Sequence, residues 1–190
     1  MVAGYLRKTA DKCGEAKLEF MSKRAFKKYI KSLEKEDLEE QIIDLYNRFD
    51  DVKVFYNFVF NPNEEKLVKE AKFKISKEYF PPNTRRPKKR RSVAHKFIKH
   101  FLKLEMEPHA LADVMFYNIE IAQTFSNDKD NLTEAFEKSM LKSFEQATKF
   151  VISHGISSEF ASRINKITEE AEIQKWSNAY QFDSLRDQFL

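Results

Sequence analysis

Glycine is almost absent from this chain: there are three in 190 residues, and Gly4 and Gly14 fall in the first twenty, so Gly155 stands alone from Met21 onward. That scarcity excludes glycine-rich phosphate loops and argues against strands joined by tight turns. The single cysteine, Cys13, has no partner for an internal disulfide and no Cys or paired His at metal-ligand spacing near it. No apolar run approaches the roughly 18 residues that cross a bilayer. Lys8, Asp11, Lys12, Glu15 and Lys17 interrupt any stretch of signal-peptide character. These absences predict a cytoplasmic protein with no membrane partner. No nucleophile elbow surrounds any serine, so the sequence assigns no catalytic residue, no metal and no cofactor, and enzymatic activity is the weaker class.

The most informative absence is local. From Tyr79 to Leu104, 26 residues carry no acidic side chain and nine Lys or Arg, centred on Arg85-Arg86-Pro87-Lys88-Lys89-Arg90-Arg91. The net charge of the whole chain is only +4, so the remainder, with those nine set aside, carries −5. Positive charge localised in this way points to an anionic partner.

What is present is abundant apolar and aromatic surface. With 42% apolar residues and 18 Phe, the chain has enough to bury a core. Its length fits one domain. Met21-Ser22-Lys23 reads as a natural start, and residues 1–20 as an extra N-terminal segment, explained more simply by an upstream start than by a functional arm. Residues 21–190 are read as a single helical domain.

Ser22 can cap a helix bearing Phe26, Tyr29, Ile30 and Leu33, and Leu38, Ile42, Leu45, Tyr46 and Phe49 continue after an acidic break, making a helical hairpin. Residues 52–60 fit both helix and strand periods. Without a partner strand, helix is preferred. Pro62 or Asn63 can open the next helix, with Leu67, Val68, Ala71 and Ile75 inward, and Pro81-Pro82-Asn83-Thr84 stops it. The basic run is a loop at least through Pro87. Ser92 can then cap a helix to about Met106, with Val93, Phe97, Ile98, Phe101, Leu102 and Leu104 on one side and Lys96, Lys99, His100 and Lys103 on the other.

Pro108 starts a helix apolar around most of its circumference, hence central. Asn131 and Glu134 resemble a capping box opening a long helix that ends at His154-Gly155. Ser157 or Ser158 caps another, and Trp176, Tyr180, Phe182 and Leu185 mark a last packed segment. The fold class is all-α, an antiparallel helical bundle or array of about eight helices.

From residue 21 onward the sequence resembles a family of small bacterial proteins of the Bacteroidetes type. The resemblance rests on Glu40-Gln-Ile-Ile-Asp-Leu-Tyr46, Glu70-Ala-Lys-Phe-Lys-Ile-Ser-Lys-Glu-Tyr-Phe80, Arg91-Ser-Val-Ala-His-Lys-Phe-Ile-Lys-His-Phe101 and Asn118-Ile-Glu-Ile-Ala-Gln-Thr-Phe125. It implies a bacterial cytoplasmic origin. It carries no activity and no site residues.

The candidate contact residues are therefore Arg85, Arg86, Lys88, Lys89, Arg90, Arg91, Lys96, Lys99 and Lys103, directed at nucleic-acid phosphates or another polyanion. The alternatives are an acidic protein partner, a solvated loop, and neutralisation by the chain's own Glu34, Glu36, Asp37, Glu39 and Glu40. Phe97 and Phe101 lie opposite the lysines, which favours backbone contact over base stacking. Glu105, His109 and Asp113 are four apart, but Pro108 breaks that line, and Asp128-Lys-Asp130-Asn131 lacks the glycine and glutamate of a calcium loop. Asp113 and Glu120 share a stripe of the central helix. A polar stripe facing solvent explains them more simply than an acid–base pair.

Overall fold

Helix signals dominate the chain, and the structure follows them. The computed structural model describes residues 21–83, 85–127 and 132–189, and among these there are nine α-helices and no strand. They are α1 (Lys23–Lys31), α2 (Lys35–Arg48), α3 (Asp50–Phe60), α4 (Glu64–Tyr79), α5 (Arg91–Lys103), α6 (Pro108–Ser126), α7 (Glu134–Ser153), α8 (Ser157–Ile173) and α9 (Ala179–Phe189). The contacts gather into two units, Met1–Lys53 and Val54–Leu190. Expectations for residues 1–20, Thr84 and 128–131 lie outside the described residues.

In the first unit, Ser22 caps α1 as expected, its hydroxyl accepting from the Ala25 amide at 3.1 Å. The Gln41 amide donates to the Tyr29 hydroxyl at 2.9 Å, tying α2 to α1 as a hairpin. Neither helix has a buried residue. The ambiguous stretch 52–60 is helical, within α3.

The second unit holds the core. Asn63 caps α4 by accepting from the Lys66 amide, and Glu107 caps α6 by accepting from the Ala110 amide, with Pro108 at the first helical position. Helix α6 packs against α4, α5, α7 and α8, and α9 packs on α7 and α8, so the nearly all-round apolar helix is central as its sequence predicts. Aromatic rings run through this core in edge-on and tilted contact: Phe125, Tyr79, Phe136, Trp176, Phe182 and Phe144, with centroids 5.0–6.5 Å apart.

Three helix ends share one device. After α7, Gly155 at φ +70° lets its own amide reach the Ile152 carbonyl and the Ile156 amide reach the Val151 carbonyl. The same bonds end α5, from Glu105 to Leu102 and Met106 to Phe101, and end α8, from Lys175 to Glu172 and Trp176 to Ala171. There the left-handed residue is Glu105 at φ +52° or Lys175 at φ +54°, each bearing a Cβ that this region disfavours by about 1–2 kcal/mol. The next residue explains the tolerance. Met106 and Trp176 are each at least 95% buried, and the turn drives them into the core.

Several boundaries differ from those the sequence predicts. Helix α8 follows the α7 turn directly, so Ile156 occupies the cap and Ser157 begins the helix; neither Ser157 nor Ser158 caps it. Thr133, accepting from the Phe136 amide, caps α7. Leu102 is exposed beside the buried Phe101, and Tyr180 is exposed between the half-buried Ala179 and Gln181.

Replacing Glu105 or Lys175 with Gly removes the left-handed strain while loosening the unfolded chain. Each substitution is expected to raise stability by up to about 1 kcal/mol in thermal or denaturant unfolding. The Tyr79 hydroxyl is buried and, among the described residues, has no hydrogen-bond partner. Tyr79→Phe is therefore expected to leave the melting temperature unchanged or raise it, whereas a drop of several degrees would show that the hydroxyl is satisfied.

Candidate polyanion-binding surface

The basic loop between α4 and α5 is stapled by one residue. The carbonyl of Glu78, in the last turn of α4, accepts from the amides of Lys88 and Lys89 at 2.9 and 3.0 Å. Its carboxylate takes Arg90 in a fork, Nε to Oε2 and Nη2 to Oε1, both at 2.8 Å. The Arg90 hydrogen bonds hold the Glu78 carboxyl below its usual range against the opposing effect of partial burial. Lys89, at φ +53°, extends its ammonium over the Phe125 ring at 5.7 Å, and Phe80 meets the same ring edge-on. Both ends of the loop are thus anchored to the second unit.

Beyond the loop, Arg91 begins α5 instead of preceding it. The structure corrects Ser92 as the cap: Arg90 takes that position, without a side-chain cap bond. Arg91 is drawn into the helix because its guanidinium reaches across to α7, Nε donating to Ser143 Oγ at 2.8 Å and Nη2 to Gln146 Oε1 at 2.6 Å. Burial alone pushes its pKa down. His95, one turn on, is lowered by burial first and then by Arg91, Lys99 and Lys142. Lys142 of α7 therefore belongs to the same positive surface as α5, a neighbour that no reading of residues 79–104 contains.

The nine predicted residues accordingly divide. Arg85, Arg86, Lys88, Arg90, Lys96, Lys99 and Lys103 are exposed, Arg90 while forked onto the Glu78 carboxylate; Lys89 is half-buried over the Phe125 ring and Arg91 is half-buried against two α7 side chains. Glu78 escapes a reading of the sequence because it lies one residue before the acid-free run. Its position in the last turn of α4, just ahead of a proline-broken loop, is the available signal. Phe101 is buried and Phe97 is half-buried beneath Lys74, so neither offers a base a free face.

A narrow crevice opens beside Arg91, lined by His95, Asn118, Ser143 and Gln146 and roomy enough for about one water. Gln123 donates to the Ile167 carbonyl at 2.7 Å, whereas among the described residues the Asn118 Oδ1 in this crevice has no hydrogen-bond partner. Asp113 and Glu120 do not face solvent as a free stripe. Arg163 of α8 forks onto Glu120 at 2.7 and 2.8 Å and donates to Asp113 at 2.8 Å, while Lys72 of α4 meets the other Asp113 oxygen at 2.6 Å. The Arg163 guanidinium also lies over the stacked Phe116 and Phe160 rings. Two carboxylates so clamped are poor proton carriers. Glu105 lies in the turn after α5, His109 faces Glu159 at 3.6 Å, and among the described residues no cluster of three His, Cys, Asp or Glu could hold a metal.

Burial works to raise the Asp113 carboxyl, but Lys72 and Arg163 outweigh it and hold it below the ordinary range. A depressed folded pKa contributes stability that is present above the unfolded value and lost as pH falls through the folded one. Stability measured by denaturant unfolding is expected to fall as pH drops below about 4. That fall is expected to be shallower in Asp113→Asn, and an identical acid profile in the variant would remove this role.

Among the described residues no helix is long and apolar enough to cross a membrane. No curated protein and no solved structure matches the chain. A family match does cover residues 21–190, including the stapled loop and every helix described, and on that match the chain belongs to a family of unknown function, DUF6155.

Proposed function

We propose that this is a non-enzymatic binding protein that holds a nucleic-acid backbone, or a polyanion of like spacing, on the α4–α5 loop and the outer face of α5. The observation that carries this reading is the stapled loop. Glu78 fixes the backbone at Lys88 and Lys89 and pairs with Arg90, while Lys88 on that staple and Arg85 and Arg86 just before it are exposed. A preorganised row of cations loses less conformational entropy on binding than a free tail of the same charge. Lys96 and Lys99 extend the row along α5, and Lys142 joins it from α7. Cations so placed release counterions from phosphates. Phe101 is buried and Phe97 half-buried beneath Lys74, and Phe80 at the head of the loop, though 46% exposed, is held edge-on to Phe125, so the contact is read as one to backbone without sequence preference.

The clamped state of Asp113 and Glu120 supports the non-enzymatic part of the reading. The test is titration of labelled duplex DNA, single-stranded DNA and RNA at two salt concentrations. Binding is expected to weaken steeply with salt and to be indifferent to sequence. In the variant Arg85→Ala/Arg86→Ala/Lys88→Ala the duplex log–log salt slope is expected to fall by about 0.9 for each phosphate that the variant no longer neutralises. No binding at low salt, or an unchanged slope in the triple variant, would overturn the reading. Binding confined to an acidic protein would do the same.

A further inference from the structure

Among the described residues of the first unit, helices α1 and α2 have no buried side chain. Phe26 of α1 is 49% exposed, and Ile42, Ile43 and Leu45 of α2 and the adjoining Phe49 are 46–60% exposed. Helices of nine and fourteen residues are marginal in water without tertiary packing. The apolar positions are also regular. Leu38, Ile42, Leu45 and Phe49 step by four, three and four, and Phe26, Ile30 and Leu33 by four and three, the spacing of seams in helical bundles.

The charges say what fits this seam. Helix α1 carries Lys23, Arg24, Lys27, Lys28 and Lys31 and no acid. On α2 and its leading turn, Lys35 pairs with Glu39 and Arg48 with Asp44, each within the helix, which leaves Glu34, Glu36, Asp37 and Glu40. Among the described residues none of these five cations or four acids forms an ion pair with another. A face with one basic and one acidic helix is self-complementary under a two-fold axis, because each copy's α1 then lies against the other's α2. A wholly acidic or wholly basic partner would match only half of it.

We propose that residues 22–49 form a homodimerisation surface, in which two hairpins close into a four-helix bundle around Phe26, Ile30, Leu33, Leu38, Ile42, Leu45 and Phe49. Light scattering or sedimentation equilibrium on the full chain is expected to give twice the 22.6 kDa chain mass at micromolar concentration. Ile42→Asp/Leu45→Asp is expected to return the mass to that of one chain. The decisive test is a charge exchange. One variant carries Lys23→Glu, Lys27→Glu and Lys28→Glu; the other carries Glu36→Lys, Asp37→Lys and Glu40→Lys. Each alone is expected to be monomeric, since acidic would face acidic or basic face basic, and their equimolar mixture is expected to dimerise.

Circular dichroism of each variant, with helix content near that of the wild type, separates a failure to associate from a failure to fold. Rescue by mixing cannot arise from pairing within one chain. A monomeric wild type overturns the proposal and assigns the face to residues 1–20 or to a foreign partner. A dimer insensitive to the charge exchange overturns it as well, by placing the interface elsewhere.

Discussion

Burial of α6 is the constraint on which the second unit turns. That helix touches α4, α5, α7 and α8, and its apolar positions demand such enclosure, yet Asp113 and Glu120 lie on it. Carboxylates can enter a low-dielectric site only if charge and hydrogen bonds follow them. Arg163 and Lys72 satisfy that condition from two different helices. The guanidinium matches two carboxylates at once because it is a planar fork, and its faces rest on Phe116 and Phe160. The clamp therefore sets where α4 and α8 stand along α6. Any feature carried by α4, including the residue that staples the basic loop, inherits that placement.

The same logic recurs at the loop with a different outcome. Glu78 offsets one cation and lends its carbonyl to the amides of Lys88 and Lys89, so a seven-residue stretch with six cations is pinned near its end and only partly neutralised. In the first unit the charges are divided between two helices instead. There the apolar seam is exposed, and the separation of signs between the helices is the basis of the self-association proposed above. Charge thus closes the core, poises the loop and marks the hairpin, with burial deciding which of these each residue does.

Much of the helical order was legible along the chain. Ser22, Asn63, Pro108 and Gly155 mark helix ends through local bonds or fixed backbone angles, and such effects depend on a few adjacent residues. The turns at Glu105 and Lys175 were not legible, because the side chain at the left-handed position opposes the turn and distant packing of Met106 and Trp176 imposes it. Of the candidate surface, its location and sign could be read directly. Which cations remain exposed could not, since Arg91 is captured by Ser143 and Gln146, more than fifty residues away. Lys142 joins the surface only because α7 lies within side-chain reach of the start of α5.

By itself the sequence determined an all-α chain, the central place of α6, the hairpin, and a localised basic segment, since these follow from periodicity, local capping and charge counted along the chain. Tertiary structure alone decided that Asp113 and Glu120 are clamped, that Glu78 fixes the loop, and that Lys89, Arg90 and Arg91 serve the fold while Arg85, Arg86 and Lys88 face solvent. The physical reason is that hydrogen bonds and ion pairs are satisfied across space, between helices whose separation in sequence carries no signal of who will meet whom.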